Sequence, residues 1–242
     1  MKYHILAAIT ALIWGSTLVS SKLLLEAGMA PSEIMMCRFL LGYLFLWILY
    51  PHTHRIQNWR DEGLFCLMGF FGGTVYFLSE NTALYYTQAT NVSLICATVP
   101  LVTAVMSHFL IKGERLTTHF FIGSIIAFSG VTLVVLNGNF VLKLNPMGDI
   151  LTFIAVISWG IYCVLQKLLK EDYSAFFITR NIFFYGMLTM LPYFIIFQPF
   201  RFPLEGFCQP VVWGNLCFLG LIASAICYYF WNLAINNIGV VK

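Results

Sequence analysis

Charged side chains are scarce in this chain, and that scarcity excludes a water-soluble globular protein. Only 10% of the 242 residues are Asp, Glu, Lys or Arg, whereas soluble domains carry about 25%. Hydrophobic residues make up 60% of the chain, and its mean hydropathy is +0.84. Too few polar groups remain to cover a body in water, so the composition predicts an integral membrane protein.

Other features that would point to a partner or a reaction are missing as well. The net charge is +3, but no run of five or more basic residues occurs, so no nucleic-acid partner is predicted. The seven cysteines stand singly without a Cys-x-x-Cys pair, which favours small core residues over disulfides or metal ligands. The chain has no phosphate-binding loop, no His-Glu-x-x-His and no Gly-x-Ser-x-Gly motif. We therefore predict no enzyme, no cofactor and no bound metal.

Long apolar runs, in contrast, are abundant. Crossing about 30 Å of hydrocarbon takes roughly 20 helical residues, and eight runs approach that length. They are continuously apolar rather than alternating, which predicts an all-α integral membrane fold and not a barrel. The predicted spans are 3–25, 34–50, 64–86, 92–111, 120–141, 150–165, 176–197 and 211–235. The links are at most about a dozen residues, too short for an extramembrane domain.

The chain also contains an internal repeat. Residues 9–26 read like residues 154–171, and three successive segments match in the same order. The matched pairs are Trp14 with Trp159 and Lys22 with Lys167 at an offset of 145, Arg38 with Arg180 at 142, and Gly69, Gly73, Asn81 and Ala83 with Gly220, Ser224, Asn232 and Ala234 at 151. Ordered agreement predicts two halves, a first five-helix repeat at 1–141 and a second repeat at 142–242 that holds three helices.

Basic residues predict the orientation. With the amino terminus in the cytoplasm, nine basic residues fall on or near the inner side and four on the outer side, which favours that topology. Five helices precede the second half, so it enters the membrane upside down and the repeats are inverted. The predicted location is the inner (plasma) membrane. The inner set is Lys2, Arg55, Arg60, Lys112, Arg115, Lys167, Lys170, Arg180 and Lys242, and the outer set is Lys22, Arg38, Lys143 and Arg201.

The second repeat is shorter than the first. At the offset of 151, Lys242 corresponds to Asn91, so residues 92–141, about 50 residues with two helices, have no counterpart. We expect a ten-helix architecture of which eight helices are present. The alternatives are a shortened gene product, a fragment, or a chain whose second half is completed by another chain.

Several short motifs resemble one family of membrane proteins. They are Trp14-Gly15-Ser16 in the first helix, the run from Asn81 to Asn91 at the turn into the fourth, Pro100 within it, Gly113-Glu114-Arg115-Leu116 closing it, and Trp159-Gly160. Together they resemble the EamA-like branch of the drug/metabolite transporter superfamily. That resemblance implies inverted five-helix repeats that export or exchange small metabolites, amino acids or drugs without ATP hydrolysis. The absent ninth and tenth helices depart from the pattern and put transport by this chain alone in doubt.

Glu80 and Arg38 are the charged residues that the membrane should tolerate least. Glu80 lies about seven residues from the outer end of the third span, roughly 10 Å below the surface. A carboxylate there costs about 3 kcal/mol on insertion scales, so it should face a cavity, find a partner or hold a proton. Arg38 enters from the same side to a similar depth. We hypothesise that the two pair or jointly line an outer vestibule; the alternative is that each reaches the headgroups independently.

Two repeat-related pairs are further candidates for solute binding or coupling. Asn81 and Asn232 either bind neighbouring helices through their amides or, if they face a central cleft, contact solute. Trp14 and Trp159 lie within their helices rather than in the interfacial belts, so their indoles either wall a cavity or pack in the core. The sequence leaves both choices open.

Small residues and prolines predict packing and bending. The small residues that should let helices approach closely are Gly69, Gly73, Gly220 and Ser224. Pro100 and Pro192 each remove a backbone hydrogen bond within a span and are candidate gating positions, although kinks without function also occur.

These patterns predict a secondary-active carrier, an exporter or exchanger that works by alternating access around a cleft between the halves. The alternative is a truncated, non-transporting membrane remnant or a subunit that needs a partner chain. The predicted partners are a small-molecule solute and the lipid bilayer, with a homodimer left open.

Overall fold

The described residues fold into eight long helices. In a computed structural model of the chain these residues are 2–52, 56, 58–111, 118–136, 145–169 and 173–239, and no β-strand occurs among them. The helices are α1 (Lys2–Glu26), α2 (Pro31–Leu49), α3 (Trp59–Gly69, Phe70–Val75 and Tyr76–Tyr86), α4 (Ala89–Cys96 and Val99–Leu110), α5 (Thr118–Leu136), α6 (Pro146–Lys167), α7 (Ala175–Ile196) and α8 (Pro210–Cys217, Phe218–Ile226 and Cys227–Ile238). The all-α prediction is confirmed.

Six of the eight helices, α1, α2, α3, α4, α6 and α8, are long and apolar enough to cross a membrane. In α5 the apolar stretch among the described residues is Phe120–Gly130, and α7 carries Arg180 and Asn181 within its run. Two predicted features, the Gly113–Leu116 turn and the end of the fifth span at 137–141, lie outside the described residues.

Helix α3 begins five residues before the predicted span, and polar capping explains why. The side chain of Asn58 accepts a hydrogen bond from the backbone N–H of Arg60 at 3.0 Å. Asp61 and Glu62 then lie in the first turn, where carboxylates favour the positive end of the helix dipole. Hydropathy alone places the start at the first apolar residue instead.

Hydrogen bonds between helix ends show that α1 and α3 run in the same direction, and that α6 and α8 do so as well. The Nζ of Lys22 donates to the carbonyl of Leu84 at 2.8 Å, which joins the carboxyl ends of α1 and α3; we call this side the Lys22 end. On the opposite side, Nε2 of Gln166 donates to the carbonyl of Asn232 at 3.2 Å, which joins the carboxyl ends of α6 and α8; we call it the Gln166 end. The topology prediction assigns the Lys22 end to the outside.

A buried carboxylate anchors the start of α2 at the Lys22 end. Glu33 is 2% exposed, and its Oε2 accepts the N–H of Ala30 at 2.8 Å. Its Oε1 accepts the N–H groups of Arg201 and Phe202 at 2.6 and 2.9 Å. Three backbone donors thus satisfy one carboxylate, and the segment between α7 and α8 is tied to α2.

A buried arginine anchors the other end of α2. Arg180 donates from Nη1 to the carbonyl of Tyr50 at 3.1 Å and from Nη2 to the carbonyl of His52 at 2.9 Å. Its guanidinium lies 3.8 Å from the ring centre of Trp47. Arg180 therefore binds the carbonyl of the C-cap residue of α2 and one carbonyl just beyond the helix, where a positive charge favours the negative end of the helix dipole.

The predicted small residues lie where helices approach most closely. A Cβ on Gly69 of α3 would come within 2.5 Å of the Cβ of Tyr185 and 2.6 Å of the backbone N of Gly186, both in α7. A Cβ on Gly220 of α8 would come within 2.7 Å of the Cβ of Leu41 in α2. The third helix of each predicted repeat thus packs against the second helix of the other.

Helices α3 and α8 each contain a wide π-helical segment, Phe70–Val75 and Phe218–Ile226. The repeat offset of 151 carries residues 70–75 onto 221–226, so the two segments occupy equivalent positions. Such wide turns are rare and frequently mark functional sites.

The prolines act differently from one another. Helix α4 is interrupted at Ala97 and Thr98, and Pro100 stands in the first turn of its second part, where its missing N–H costs no helical hydrogen bond. Pro192 lies inside α7, which still runs as one helix from Ala175 to Ile196.

Candidate functional site

Five aromatic side chains from four helices meet near the middle of the bundle; we call Trp14, Tyr76, Trp159, Tyr228 and Trp231 the aromatic cluster. The rings of Trp14 and Trp159 meet edge to face with their centres 5.0 Å apart. Trp14 also lies 5.3 Å from Trp231 and 5.8 Å from Tyr228, and Tyr76 lies 5.0 Å from Trp159. The two repeat-related tryptophans, left open between cavity wall and core, therefore touch each other at the centre of the cluster.

The indole N–H of Trp14 is satisfied inside the bundle. It donates to the carbonyl of Ala223 at 2.9 Å, and Ala223 lies in the π-helical segment of α8. The cluster is thus fixed both by ring contacts and by a hydrogen bond to the irregular part of a helix.

Arg38 lies directly beside the aromatic cluster. It is 1% exposed, and its Nε donates to the hydroxyl of Ser224 in the middle of α8 at 2.9 Å. The guanidinium carbon lies 4.1 Å from the ring centre of Phe77. Within the described part of the chain, its Nη1 is buried and has no hydrogen-bond partner. A cation is therefore held in the bundle with the two N–H donors of one nitrogen unused.

Glu80 is the acidic neighbour of this cation. It is 4% exposed, and its Oε1 accepts a hydrogen bond from the hydroxyl of Tyr76, one helical turn earlier, at 2.7 Å. Glu80 and Arg38 interact electrostatically, but they form no direct ion pair among the described residues. Of the expected arrangements, direct pairing is not seen, and both side chains are buried in the bundle rather than extended to its surface.

The two repeat-related asparagines lie at opposite ends of the bundle. Asn81 donates to the carbonyl of Pro31 at 3.4 Å at the Lys22 end, and its Oδ1 has no partner in the described structure. Asn232, near the Gln166 end, accepts from the hydroxyl of Tyr162 and donates to Thr179 at 2.9 Å. They share no common cleft here, and Asn232 binds helices α6, α7 and α8 together.

Sequence reasoning missed Tyr76, Phe77, Tyr228 and Trp231, although the repeat held a signal for the last three. The offset of 151 that pairs Asn81 with Asn232 also pairs Phe77 with Tyr228 and Glu80 with Trp231. The position equivalent to Glu80 is therefore aromatic in the second copy, and the position equivalent to Phe77 is aromatic in both. Extending the register back from Asn81 by four residues would have found these three side chains.

A separate cavity of about 330 Å³ lies away from the aromatic cluster, between the interruption of α4 and helix α5. It is mainly apolar, and the residues that line it include Thr98, Pro100, Phe121, Ser124 and Phe128. None of the described residues that line it is charged, so these residues offer shape but little chemical selectivity.

Comparison with known proteins places the bundle in a family. The sequence model of the EamA-like transporter family matches residues 1–136 and 146–242. An uncharacterized transporter of Archaeoglobus fulgidus is 27% identical over 247 residues, covering 98% of this chain and 81% of the relative. The uncharacterized transporter YetK of Bacillus subtilis is 25% identical over 245 residues, covering 98% and 72%.

A solved crystal structure has the same fold, with a TM-score of 0.75 at 16% identity over 96% of this chain and 78% of the other. The apolar helices, the buried polar centre and a family match along nearly the whole length agree with one another. The chain belongs to the EamA-like transporter family and is a multi-pass membrane transporter.

Proposed function

We propose that this transporter moves a small solute by secondary-active alternating access, through a pathway whose midpoint is the aromatic cluster with Arg38 and Glu80. One observation carries the proposal: a cation and an acid are buried together among apolar helices, against groups from both predicted halves. Ionisable residues inside membrane spans are costly, and they mark substrate or ion pathways.

The packing supports movement around this point. Trp14 of α1 and Trp159 of α6 touch across the cluster, and Arg38 lies sealed beside them. Separation of α1 from α6 would open the cluster and give solute access to the guanidinium. The π-helical segments of α3 and α8 are departures from regular helix at equivalent positions, which suits elements that bend or slide. Pro100 and Pro192 are further gating candidates.

The chemistry of the site favours a solute with an apolar body and a polar end. Aromatic side chains supply the walls, while Arg38 and Glu80 supply the charge. Small metabolites, amino acids and drugs all meet this description. We propose export or exchange across the inner membrane, with the amino terminus in the cytoplasm.

Flux through reconstituted protein tests the proposal. Proteoliposomes would be loaded with a mixture of metabolites and amino acids, and efflux followed by mass spectrometry against protein-free liposomes. We expect at least one solute to leave faster through the protein, and Trp159→Ala to lower that flux at least about tenfold. Trp213→Ala is the matched control, because Trp213 is 54% exposed and lies outside the cluster. The absence of protein-dependent flux for every solute would refute transport by this chain.

A role of Glu80 in proton coupling is tested on the same flux. If the carboxyl of Glu80 takes up and releases the coupling proton, Glu80→Gln should abolish the pH dependence of transport and slow uphill movement. Downhill exchange should persist, because it needs no net proton movement. Undiminished and equally pH-dependent flux in Glu80→Gln would rule out this role.

A further inference from the structure

Arg38 has more hydrogen-bonding capacity than its surroundings use. A guanidinium carries five N–H donors in a planar fork. The only hydrogen bond that the described residues provide runs from Nε to Ser224, and Nη1 is buried without a partner. Leaving a buried charged donor unsatisfied is costly, so a protein that only needed packing at this place would gain by removing it.

Arg180, the predicted repeat partner of Arg38, shows how an arginine of this fold has both terminal nitrogens hydrogen-bonded. Arg180 commits both terminal nitrogens to the carbonyls of Tyr50 and His52. Equivalent positions thus hold one arginine that closes a helix end and one whose fork is partly free. Packing and capping explain Arg180, but they do not explain the unused donor of Arg38.

The residues around Arg38 supply no acceptor for its free N–H groups in the described structure, so an oxyanion from outside the protein is the expected partner. The guanidinium carbon of Arg38 lies 4.1 Å from the ring centre of Phe77, and contact with a ring face uses none of the N–H donors in a hydrogen bond to oxygen. The acidic neighbour, Glu80, is bound by Tyr76 and makes no direct ion pair with Arg38 in the described structure. A carboxylate of a solute would meet the fork of Arg38 with the geometry that guanidinium groups bind best.

We propose that the buried guanidinium of Arg38 binds the carboxylate of the transported solute, so that the substrates are carboxylates with an aromatic or apolar body. This proposal rests on the transport function proposed above and narrows its substrate class. The aromatic cluster holds the apolar body, and Ser224 and Phe77 hold the guanidinium in place. In the described conformation Arg38 is buried, and the proposed opening motion would expose it to solute.

Four probes that share a phenyl ring and differ in charge test the proposal. Thermal unfolding of the purified full chain in detergent would be measured with phenylacetate, L-phenylalanine, phenethylamine and 2-phenylethanol. We expect the two carboxylates to raise the melting temperature, and the amine and the alcohol to leave it unchanged, because only the carboxylates can occupy the free fork of Arg38.

Variants then assign the effect to one residue. Arg38→Gln should weaken phenylacetate binding at least about tenfold, whereas Arg38→Lys should retain part of it because the positive charge remains. Glu80→Gln should strengthen phenylacetate binding, because it removes a nearby negative charge. The matched control is Arg180→Lys, which should lower the melting temperature without ligand and leave the phenylacetate shift intact.

Three results would overturn the proposal: a larger shift with phenethylamine or 2-phenylethanol, no shift with either carboxylate, or unchanged phenylacetate binding in both Arg38 variants. Its failure is separable from failure of the transport function. Flux of solutes without a carboxylate would leave transport standing and remove the carboxylate preference. Arg38-dependent phenylacetate binding without flux of any solute would remove transport and leave the binding site.

Discussion

Glu33 and Glu80 are both almost completely buried, yet their hydrogen-bond partners differ in kind. Three backbone N–H groups bind Glu33, which is how a protein satisfies a structural carboxylate. One tyrosine hydroxyl binds Glu80, which leaves it capacity for a solute or a proton. At the scale of single residues, partner type rather than burial separates anchors from candidate site residues.

We expect Glu33→Gln to destabilise the protein by about 2–3 kcal/mol. All three partners of Glu33 are donors, and the amide of Gln would turn one acceptor into a donor that faces another donor. The measurement is thermal unfolding in detergent, with a fall of about 5 °C. Glu26→Gln serves as the control, because Glu26 is exposed on the last turn of α1. Equal melting temperatures for the two variants would contradict an anchoring role.

The two asparagines should respond unequally to the same substitution. Asn232→Leu breaks hydrogen bonds to Tyr162 and Thr179 and should cost about 1–3 kcal/mol. Asn81→Leu breaks one long hydrogen bond and removes an unsatisfied oxygen, so it should change stability by less than about 1 kcal/mol. The measurement is the free energy of unfolding of both variants in detergent. A larger loss of stability for Asn81→Leu than for Asn232→Leu would show that our assignment of their hydrogen-bond partners is wrong.

The sequence singled out Arg38, Glu80, Trp14 and Trp159 because charge and mid-span tryptophan are conspicuous in apolar helices. It could not supply their partners. The hydroxyl of Ser224 lies 186 residues from Arg38 along the chain, and the carbonyl of Ala223 lies 209 residues from Trp14. Such contacts depend on how helices from distant parts of the chain pack, which no local pattern records.

At the scale of helices, close contact depends on a few positions without side chains. Gly69 and Gly186 allow α3 and α7 to touch through their backbones, and Gly220 does the same for α8 and α2. Spacing in the sequence predicted that Gly69 and Gly220 would pack closely, but it could not say against which helix.

Gly69→Ala should destabilise the bundle by about 1–3 kcal/mol, because its methyl group would meet backbone and Cβ atoms of α7 that cannot move aside. Gly15→Ala is the matched control in α1, where nothing lies within 4 Å of the added carbon. It should be neutral or slightly stabilising, since alanine favours helix over glycine. Comparable melting temperatures for the two variants would show that the α3–α7 contact tolerates expansion.

The sequence indicated one kind of helix irregularity, at proline, but not the π-helical segments. Pro100 drew attention to α4, which is interrupted just before it at Ala97 and Thr98. The predicted loss of a helical hydrogen bond at Pro100 does not occur, because the residue stands in the first turn of the second part. The π-helical segments of α3 and α8 gave no such signal: their sequences, rich in Phe, Gly, Leu and Ile, read as ordinary apolar helix.

For the whole molecule, apolar runs were sufficient to predict eight helices among the described residues. In a bilayer, the length and hydropathy of a segment largely decide whether it forms a spanning helix. Orientation rests on the distribution of basic residues and stays a prediction. The inverted repeat likewise remains an inference from sequence register, supported by equivalent π-helical segments in the two copies.

Labelling of cysteines tests the orientation. Cys208 is exposed at the Lys22 end, so a membrane-impermeant maleimide should label it in right-side-out vesicles. Trp59→Cys, made together with Cys208→Ser, should be labelled only after permeabilisation, because position 59 is 91% exposed at the opposite end. Cys208→Ser alone provides the background signal. The reverse labelling pattern would show that the Lys22 end faces the cytoplasm and that the predicted orientation is wrong.

The hydrogen bonds that hold α2 determine which helices would move as one rigid unit during transport. Its first turn is tied through Glu33 to the link before α8, its middle through Arg38 to Ser224, and its last turn to Arg180 of α7. A helix of the predicted first repeat is therefore bound along its length to helices and a link of the predicted second repeat. The rigid units of a transport cycle would then each combine helices of both predicted repeats. If the chain were cut between the repeats, α2 would still move together with α7 and α8.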